Sequence, residues 1–533
     1  MTVVPFLIVG SAAGALSLLM RWHRAWSTTI ALAGLLAMAV AGASIASTSS
    51  IEIGGGRLVG SEWLRLYAVL GSVVGLGLVL VDVTALHEPD APGVIVLGLA
   101  AAVLALSAVE PGTAVIAATG GGLVGILVAA PVGAAARAAF VGTRELRALA
   151  VAGALAIVAT AWMARPLGDV GNTPALFGIA YLAFGVAVAV RFGAVPFHVW
   201  AARVADAAPG VALPLLMAWG PAAFAAVALV WVDHSVAPLV MPLSAERTTI
   251  AAVGIASVLL GLVAAWVQDD LEHVVGYTIV ADAGFVVLGL AVLDPAIWEP
   301  TRTWLLLFVV TRSALAAWAV AIHGGFGTRR IPELAGWARR APLLAVALAL
   351  IAVAGIGWPG LAVWDARFSI ANLALPRPLA ALVAVAPVAA LVIYGRVLIV
   401  GVARPGEAVA EGRGERPRWP VERASRELVG HSRAERSVER VERLSGATLD
   451  VIWTLPTAAR ANRMPIAAVV VLVLAGLSAA LAGGTLGVAA AARAVPATVE
   501  PGPSQPAPAP ETSPVPSAGQ SSGASTQRST SRV

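Results

Sequence analysis

The chain has no cysteine, which excludes disulfides, thiolate-bound zinc, iron–sulfur ligation and thiol chemistry within its 533 residues. It also has no lysine: all 35 basic residues are arginine. Charge of either sign is scarce, with Asp, Glu, Lys and Arg at 12% against 59% hydrophobic residues, and the mean hydropathy is +0.87. No soluble domain of this length has that balance. Phosphate-binding loops, paired metal-binding histidines and Ser-His-Asp spacings are missing too. The expectation is a chain with no cofactor of its own, no resident metal, no catalytic residue in the ordinary sense and no nucleic-acid partner.

What is present is one apolar run after another, each about as long as a helix needs to cross roughly 30 Å of hydrocarbon. They predict an all-α polytopic membrane protein with about fourteen transmembrane helices. The alternation of a β-barrel is absent. The first run, "TVVPFLIVG", has no basic residue ahead of it and no convincing small-residue cleavage site, so a retained span is expected there. Arginines concentrate in alternate loops, at Arg21 and Arg24, Arg137, Arg144 and Arg147, Arg329, Arg330, Arg339 and Arg340, and again across 404–463. Basic loops favour the cytoplasmic side, which predicts both termini outside the cytoplasm of a bacterial plasma membrane.

The domain reading is a membrane domain over 1–403, a charged amphipathic cytoplasmic helix over 404–464, a last transmembrane helix over 465–493 and a Pro/Ser-rich tail over 494–533. In the charged stretch Val421, Leu428, Val438, Val441 and Leu444 recur at loosely helical spacing among balanced Arg and Glu. That pattern fits a solvated linker helix or one lying on the bilayer or a neighbouring subunit. The tail lacks the large apolar residues a core requires.

Ionisable and helix-breaking residues at membrane depth carry the remaining information, because each is costly in hydrocarbon and faces protein or water. "VAVAVRFGAVPFHVW" brings Arg191, Pro196 and His198 together at the end of an apolar run. "QDDLEHVVGYTIVADAGF" opens a span with Asp269, Asp270, Glu272 and His273 and buries Asp282 two to three turns deeper. The next span carries Arg312 in its middle and His323 near its end. "AVAGIGWPGLAVWDARF" is broken around Pro359 and then shows Asp365 and Arg367. Most of the tryptophans read as interface anchors and packing.

These segments, in this order, resemble the antiporter-like, proton-translocating membrane subunits of respiratory complex I, a family related to Mrp-type antiporter and energy-converting hydrogenase membrane subunits. "RFGAVPFHVW" is similar to the family's Lys, apolar stretch, Pro-Phe-His and Trp motif. "DLEHVVGYTIVADAGF" matches its "DLKRLLAYSSIAHAGF"-like motif without gaps, and "GWARRAP" followed by "AVAGIGWPGLAVWDARF" matches its "GLARRxP" and "SLAGIPPxAGFWxKF" motifs. The resemblance implies two inverted five-helix repeats, each with one discontinuous helix, and proton movement through buried groups. It also implies other membrane subunits, the lipid bilayer and redox or transport subunits as partners, with any NADH–quinone chemistry located in them.

The departures are as informative. The family's motif lysines fall on Arg191, Ala222, Glu272 and Arg367, and the usual acid of the fifth span has no counterpart. Arginine keeps its proton in proteins, so it cannot pass one on. One reading rebuilds the proton route from His198, Glu272, His273, Asp282, His323 and Asp365, with Arg191, Arg312 and Arg367 as fixed charges and Pro196 and Pro359 as helix breaks. A second has the half-channels decayed, with Asp282 and Arg312 as a static pair, Asp365 neutralising Arg367, and the chain a transport-inactive spacer. By their position near span ends, Glu272, His273 and His323 also read as merely interfacial. A third makes the chain a cation/proton antiporter or inorganic-carbon uptake subunit.

Overall fold

The structure, a computed structural model, describes residues 1–85, 88–129, 136–163, 174–198, 200, 204–205, 208, 210–236, 243–403, 469, 472, 476 and 488–493. The helices are α1 (Val4–Leu19), α2 (Arg24–Ala43), α3 (Glu62–Ala85), α4 (Ala91–Ser107), α5 (Pro111–Ala129), α6 (Ala136–Met163), α7 (Pro174–Phe192), α8 (Gly220–Trp231), α9 (Ser244–Val267), α10 (Leu271–Leu290), α11 (Trp298–Phe326), α12 (Pro342–Ile356), α13 (Ala362–Ala374), α14 (Arg377–Val385), α15 (Ala390–Val402) and α16 (Val488–Arg493). Among the described residues, 8 helical stretches are long and apolar enough to cross a membrane, and shorter apolar helices accompany them at every other expected position except the last. The chain is a multi-pass membrane protein.

The expected last span is described only at Val469, Leu472, Gly476 and α16. The first three follow i, i+3, i+7 spacing, one face of a helix. Leu472 packs on Gly77 of α3, and Arg493 donates to Glu299 at 2.8 Å. The charged stretch 404–464 and the tail 494–533 lie outside the described residues.

From α4 onward the spans form two consecutive sets of five. The first runs α4, α5, α6, α7 and the segment around α8. The second runs α9, α10, α11, the α12–α13 pair and the α14–α15 pair. Five crossings is an odd number, so the second set enters from the opposite face and equivalent helices run in opposite directions. Inversion of the repeats thus follows from parity.

The fourth member of each set is interrupted. After α7, Gly193 takes φ +63° and its N–H reaches Val190 O at 3.1 Å, while Ala194 N reaches Ala189 O at 2.8 Å, a left-handed glycine termination. The Val195–Pro196 peptide is cis. After α12, Gly357 (φ +72°) and Gly360 (φ +92°) bracket Pro359, and α13 starts on the far side. Both breaks need polar company within hydrocarbon. Trp200 Nε1 donates to Val190 O at 2.9 Å and Ser257 Oγ receives Val195 N at 3.0 Å at the first; Arg367 Nη1 donates to Ile356 O at 2.5 Å at the second.

The central stretch of helix α11, from Thr303 to Ile322, is wholly buried. Helix α10 lies between it and α9, where small residues let backbones touch: a methyl group added at Gly284 would lie 2.6 Å from Gly254 O. That contact fixes α10 at the turn that carries Asp282. One element was not foreseen, an antiparallel hairpin of β1 (Ser50–Ile53) and β2 (Gly56–Val59), turned on Gly54 and Gly55. Glu110 holds it to the α4–α5 junction by accepting Arg57 N–H at 3.1 Å.

Candidate functional site

Three charged clusters lie inside or at the rim of this helical body. The first joins α6 and α7. Arg191, in the last turn of α7, is 2% exposed, and its guanidinium lies 3.7 Å from Glu145 on α6, which is 1% exposed. Space for the guanidinium comes from missing side chains: a methyl at Gly220 would sit 2.9 Å from Arg191 Nη2, and one at Gly122 of α5 would sit 3.2 Å from it. The π-helical turn Leu215–Trp219 that precedes α8 presents the Leu216 carbonyl, which accepts from Arg191 Nη1 at 3.2 Å. Arg191 also lines a cavity of about 20 Å³ bounded by Gly98, Gly121, Gly125 and Gly220, room for about one water molecule.

The sequence reading missed Glu145. It sits in "TRELRALA", whose Arg144 and Arg147 mark a loop, yet Val141, Glu145, Leu149, Ala152 and Ala156 form a buried stripe at helical spacing. That stripe was the available signal. The fifth span's missing acid is therefore offset by one on the sixth helix.

The second cluster joins α10, α11, α13 and α15. Asp282 accepts directly from Arg312 Nε, both residues being 4% exposed, and Arg312 Nη1 donates to the Tyr394 hydroxyl at 2.9 Å. Arg367, 1% exposed, adds a second guanidinium within electrostatic reach of the same carboxylate. It faces Trp364 at 5.5 Å and Phe285 at 5.9 Å from the ring centroids, and its Nε and Nη2 have no hydrogen-bond acceptor. One carboxylate thus stands against two permanent cations.

Asp365 does not neutralise Arg367, as one reading expected. It is exposed while Arg367 is buried, because residues two apart on a helix point to different faces.

The third cluster lies at the start of α10. Asp270 caps the helix by accepting Glu272 N–H at 2.9 Å. Arg329, from the segment after α11, clamps both acids: Nε to Asp270 at 2.6 Å and Nη1 to Glu272 at 2.7 Å. Backbone bonds from Leu271 N to Arg329 O at 2.9 Å and from Ile331 N to Asp269 O at 2.7 Å hold that segment in place, and Arg396 of α15 ties in Asp269 at 2.9 Å. Burial pushes the Asp270 carboxyl above its usual range, with Arg329 opposing the shift. Glu272 is 4% exposed, so it is no solvated interfacial group, and His323 Nδ1 of α11 lies 3.8 Å from it. His273 is half-buried beside Asp270.

His198 stands apart from all three clusters, half-buried in the turn after Pro196, with a buried Nδ1 that has no partner. Trp219, in the π-helical turn beside Arg191, links that turn to α11 and α3: its Nε1 donates to Ser313 Oγ at 2.9 Å and its carbonyl accepts from Tyr67 at 3.1 Å. Several tryptophans serve packing rather than the interface and are buried donors to helix carbonyls, Trp318 to Leu344 and Trp337 to Val397 among them. Among the described residues no group of three or more His, Asp or Glu side chains has metal-binding geometry.

Residues 149–393 match the family model described as NADH:quinone oxidoreductase/Mrp antiporter, transmembrane. The chain is 32% identical to NADH-quinone oxidoreductase subunit N of Sphingopyxis alaskensis over 42% of its own length and 48% of that protein. It is 31% identical to the subunit N of Rhodococcus opacus over 44% and 43% respectively. The aligned part thus spans about half the length of these curated relatives. By fold, it superposes on a chain of the archaeal membrane-bound sulfane sulfur reductase with a TM-score of 0.67 and 16% identity, covering 88% of this chain and 99% of that one. A chain of respiratory complex I from Thermus thermophilus gives 0.62 and 19%, covering 89% and 97%.

Proposed function

We propose that this chain, whose residues 149–393 match the NADH:quinone oxidoreductase/Mrp antiporter transmembrane family, is a proton-translocating membrane subunit of a complex I-like assembly. Electron transfer takes place in partner subunits, and this chain moves protons in response. The observation that carries the reading is the set of ionisable side chains held inside two halves with a broken helix in each: Glu145 with Arg191 in one, Asp282 with Arg312 and Arg367 in the other. Burying such groups costs stability, and a membrane protein keeps them chiefly for transport.

The roles divide by chemistry. Arg191, Arg312 and Arg367 are fixed charges, because a guanidinium does not release its proton. Carboxylates and imidazoles are the side chains whose chemistry allows a proton to be exchanged. Glu272, His323 and His273 stand at the membrane rim where protons enter or leave, and His198 stands at the first break. In the bacterial plasma membrane the basic loops face the cytoplasm and both termini face outward.

A second reading, a transport-inactive scaffold, draws support from one observation: every buried cation in the clusters is an arginine with a contact that holds it in place. NADH-driven proton uptake into inverted vesicles bearing the native assembly tests the choice. The double variant Glu145→Gln with Asp282→Asn, compared at matched complex abundance, is expected to lower the proton-to-electron ratio while electron transfer continues. An unchanged ratio would establish the scaffold.

A further inference from the structure

Glu145 and Asp282, one buried carboxylate from each half, are held in different ways, and the difference decides which of them can take up a proton. Asp282 receives a direct guanidinium hydrogen bond from Arg312 and feels Arg367 as well. Protonating it would leave two guanidiniums buried with no counter-charge. Unpaired charge in a low-dielectric interior is the most costly arrangement available, so Asp282 stays ionised.

Glu145 has one cation, and the nearest approach is 3.7 Å, beyond hydrogen-bond length. Both of its carboxylate oxygens are buried without a hydrogen-bond donor, and so is Arg191 Nε without an acceptor. A carboxylate in that setting is poorly solvated as an anion, and adding a proton removes the penalty. Arg191 loses less in exchange than Arg312 would: it gives up no direct hydrogen bond to the acid, keeps the Leu216 carbonyl as Arg312 keeps Tyr394, and borders the water-sized cavity among Gly98, Gly121, Gly125 and Gly220. The remaining charges of this region, Arg144 and Arg147, sit on α6 itself; Arg144 is half-buried and engages the Phe140 ring at 4.6 Å, and Arg147 is exposed. Arg191 is the charged group that reaches Glu145 from the neighbouring helix α7.

We propose that Glu145 is a proton-binding site of the membrane domain, loaded and unloaded against the fixed charge of Arg191, and that Asp282 is a permanent counter-ion. Loading forms one O–H bond at a Glu145 oxygen and cancels its charge; unloading breaks that bond and restores the pair, with no other covalent change. The proposal rests on the transport reading above and names the group within it that exchanges. It also gives the two halves different jobs, the first titrating and the second electrostatically locked.

The test is infrared difference spectroscopy of the native assembly in membranes across a pH titration, following the carbonyl stretch of protonated carboxylic acids. The wild-type spectrum is expected to contain a titrating band that Glu145→Gln abolishes and Asp282→Asn retains. Arg191→Gln is expected to move that band to higher pH, because losing a nearby cation favours the neutral acid; a purely structural glutamate would show no such shift. A spectrum in which Glu145→Gln removes no titrating component, or in which the same component disappears with Asp282→Asn alone, overturns the assignment. Proton pumping measured on the same membranes separates the two levels: a band that belongs to Glu145 with pumping unchanged in Glu145→Gln would leave the binding site standing and reject the transport reading.

Discussion

Removing the charge of Asp282 should destabilise the protein far more than its polarity alone would imply. Asp282→Asn leaves Arg312 and Arg367, 4% and 1% exposed, with no carboxylate between them. Breaking a buried ion pair by deleting one partner costs about 3–5 kcal/mol. A loss of that size lowers the folded-to-unfolded ratio by more than a hundredfold at the low end, since about 1.4 kcal/mol is a factor of ten. The companion variant Arg312→Met removes the cation and fills its volume, and the double variant should recover part of the loss. Recovery stays partial because Arg367 remains buried, with two of its nitrogens lacking acceptors. The assay is a double-mutant cycle on the purified assembly, using unfolding midpoints and abundance in membranes. A coupling of about 2 kcal/mol or more is expected, the upper part of the range for contacting residues. Strict additivity, or an Asp282→Asn variant within about 0.5 kcal/mol of wild type, would refute the account of one acid compensating two cations.

Gly284→Val should separate α9 from α10, because the first added carbon already meets Gly254 O at 2.6 Å; a loss of at least about 1–3 kcal/mol and a fall in assembled complex are the readout. Trp219→Phe removes the donor to Ser313 Oγ, at a cost of about 1 kcal/mol by thermal unfolding of the assembly. Glu88, in the α3–α4 connection outside the spans, has its carboxyl pushed up by burial and by Asp90. A carboxyl raised in the folded state binds its proton more tightly there than in the unfolded chain, so its contribution worsens as pH rises through the raised value. Glu88→Gln should therefore match wild type in acid and exceed it at neutral pH in a pH series of melting curves; equal stability across the series would count against that burial.

Much of the architecture is legible in residue pattern because the bilayer imposes it. A span must be apolar for a set length, and a proline–glycine interruption at depth must be a break, so "AVAGIGWPGLAVW" announces the end of α12 and the start of α13. The Asp282–Arg312 contact was also anticipated, each residue being a lone charge in the middle of adjacent spans. Glu145 escaped notice because its neighbours Arg144 and Arg147 make the segment look like a loop, although the buried stripe through Val141 and Leu149 runs straight through it. The β1–β2 hairpin was hidden in a short polar connection where local turn preferences carry the only signal.

By itself, then, the sequence determined the environment, the succession of helices, the places where they break and the permanence of the buried cations, since all of these follow from side-chain chemistry and helix period. Tertiary structure alone decided who compensates whom. Arg191 meets an acid one helix earlier rather than two, Glu272 is buried because the segment after α11 folds back to place Arg329 over it, and Asp282 answers to two arginines instead of one. Those pairings depend on angles and separations between helices, which the packing of glycine against backbone fixes and which no periodicity along a single helix records.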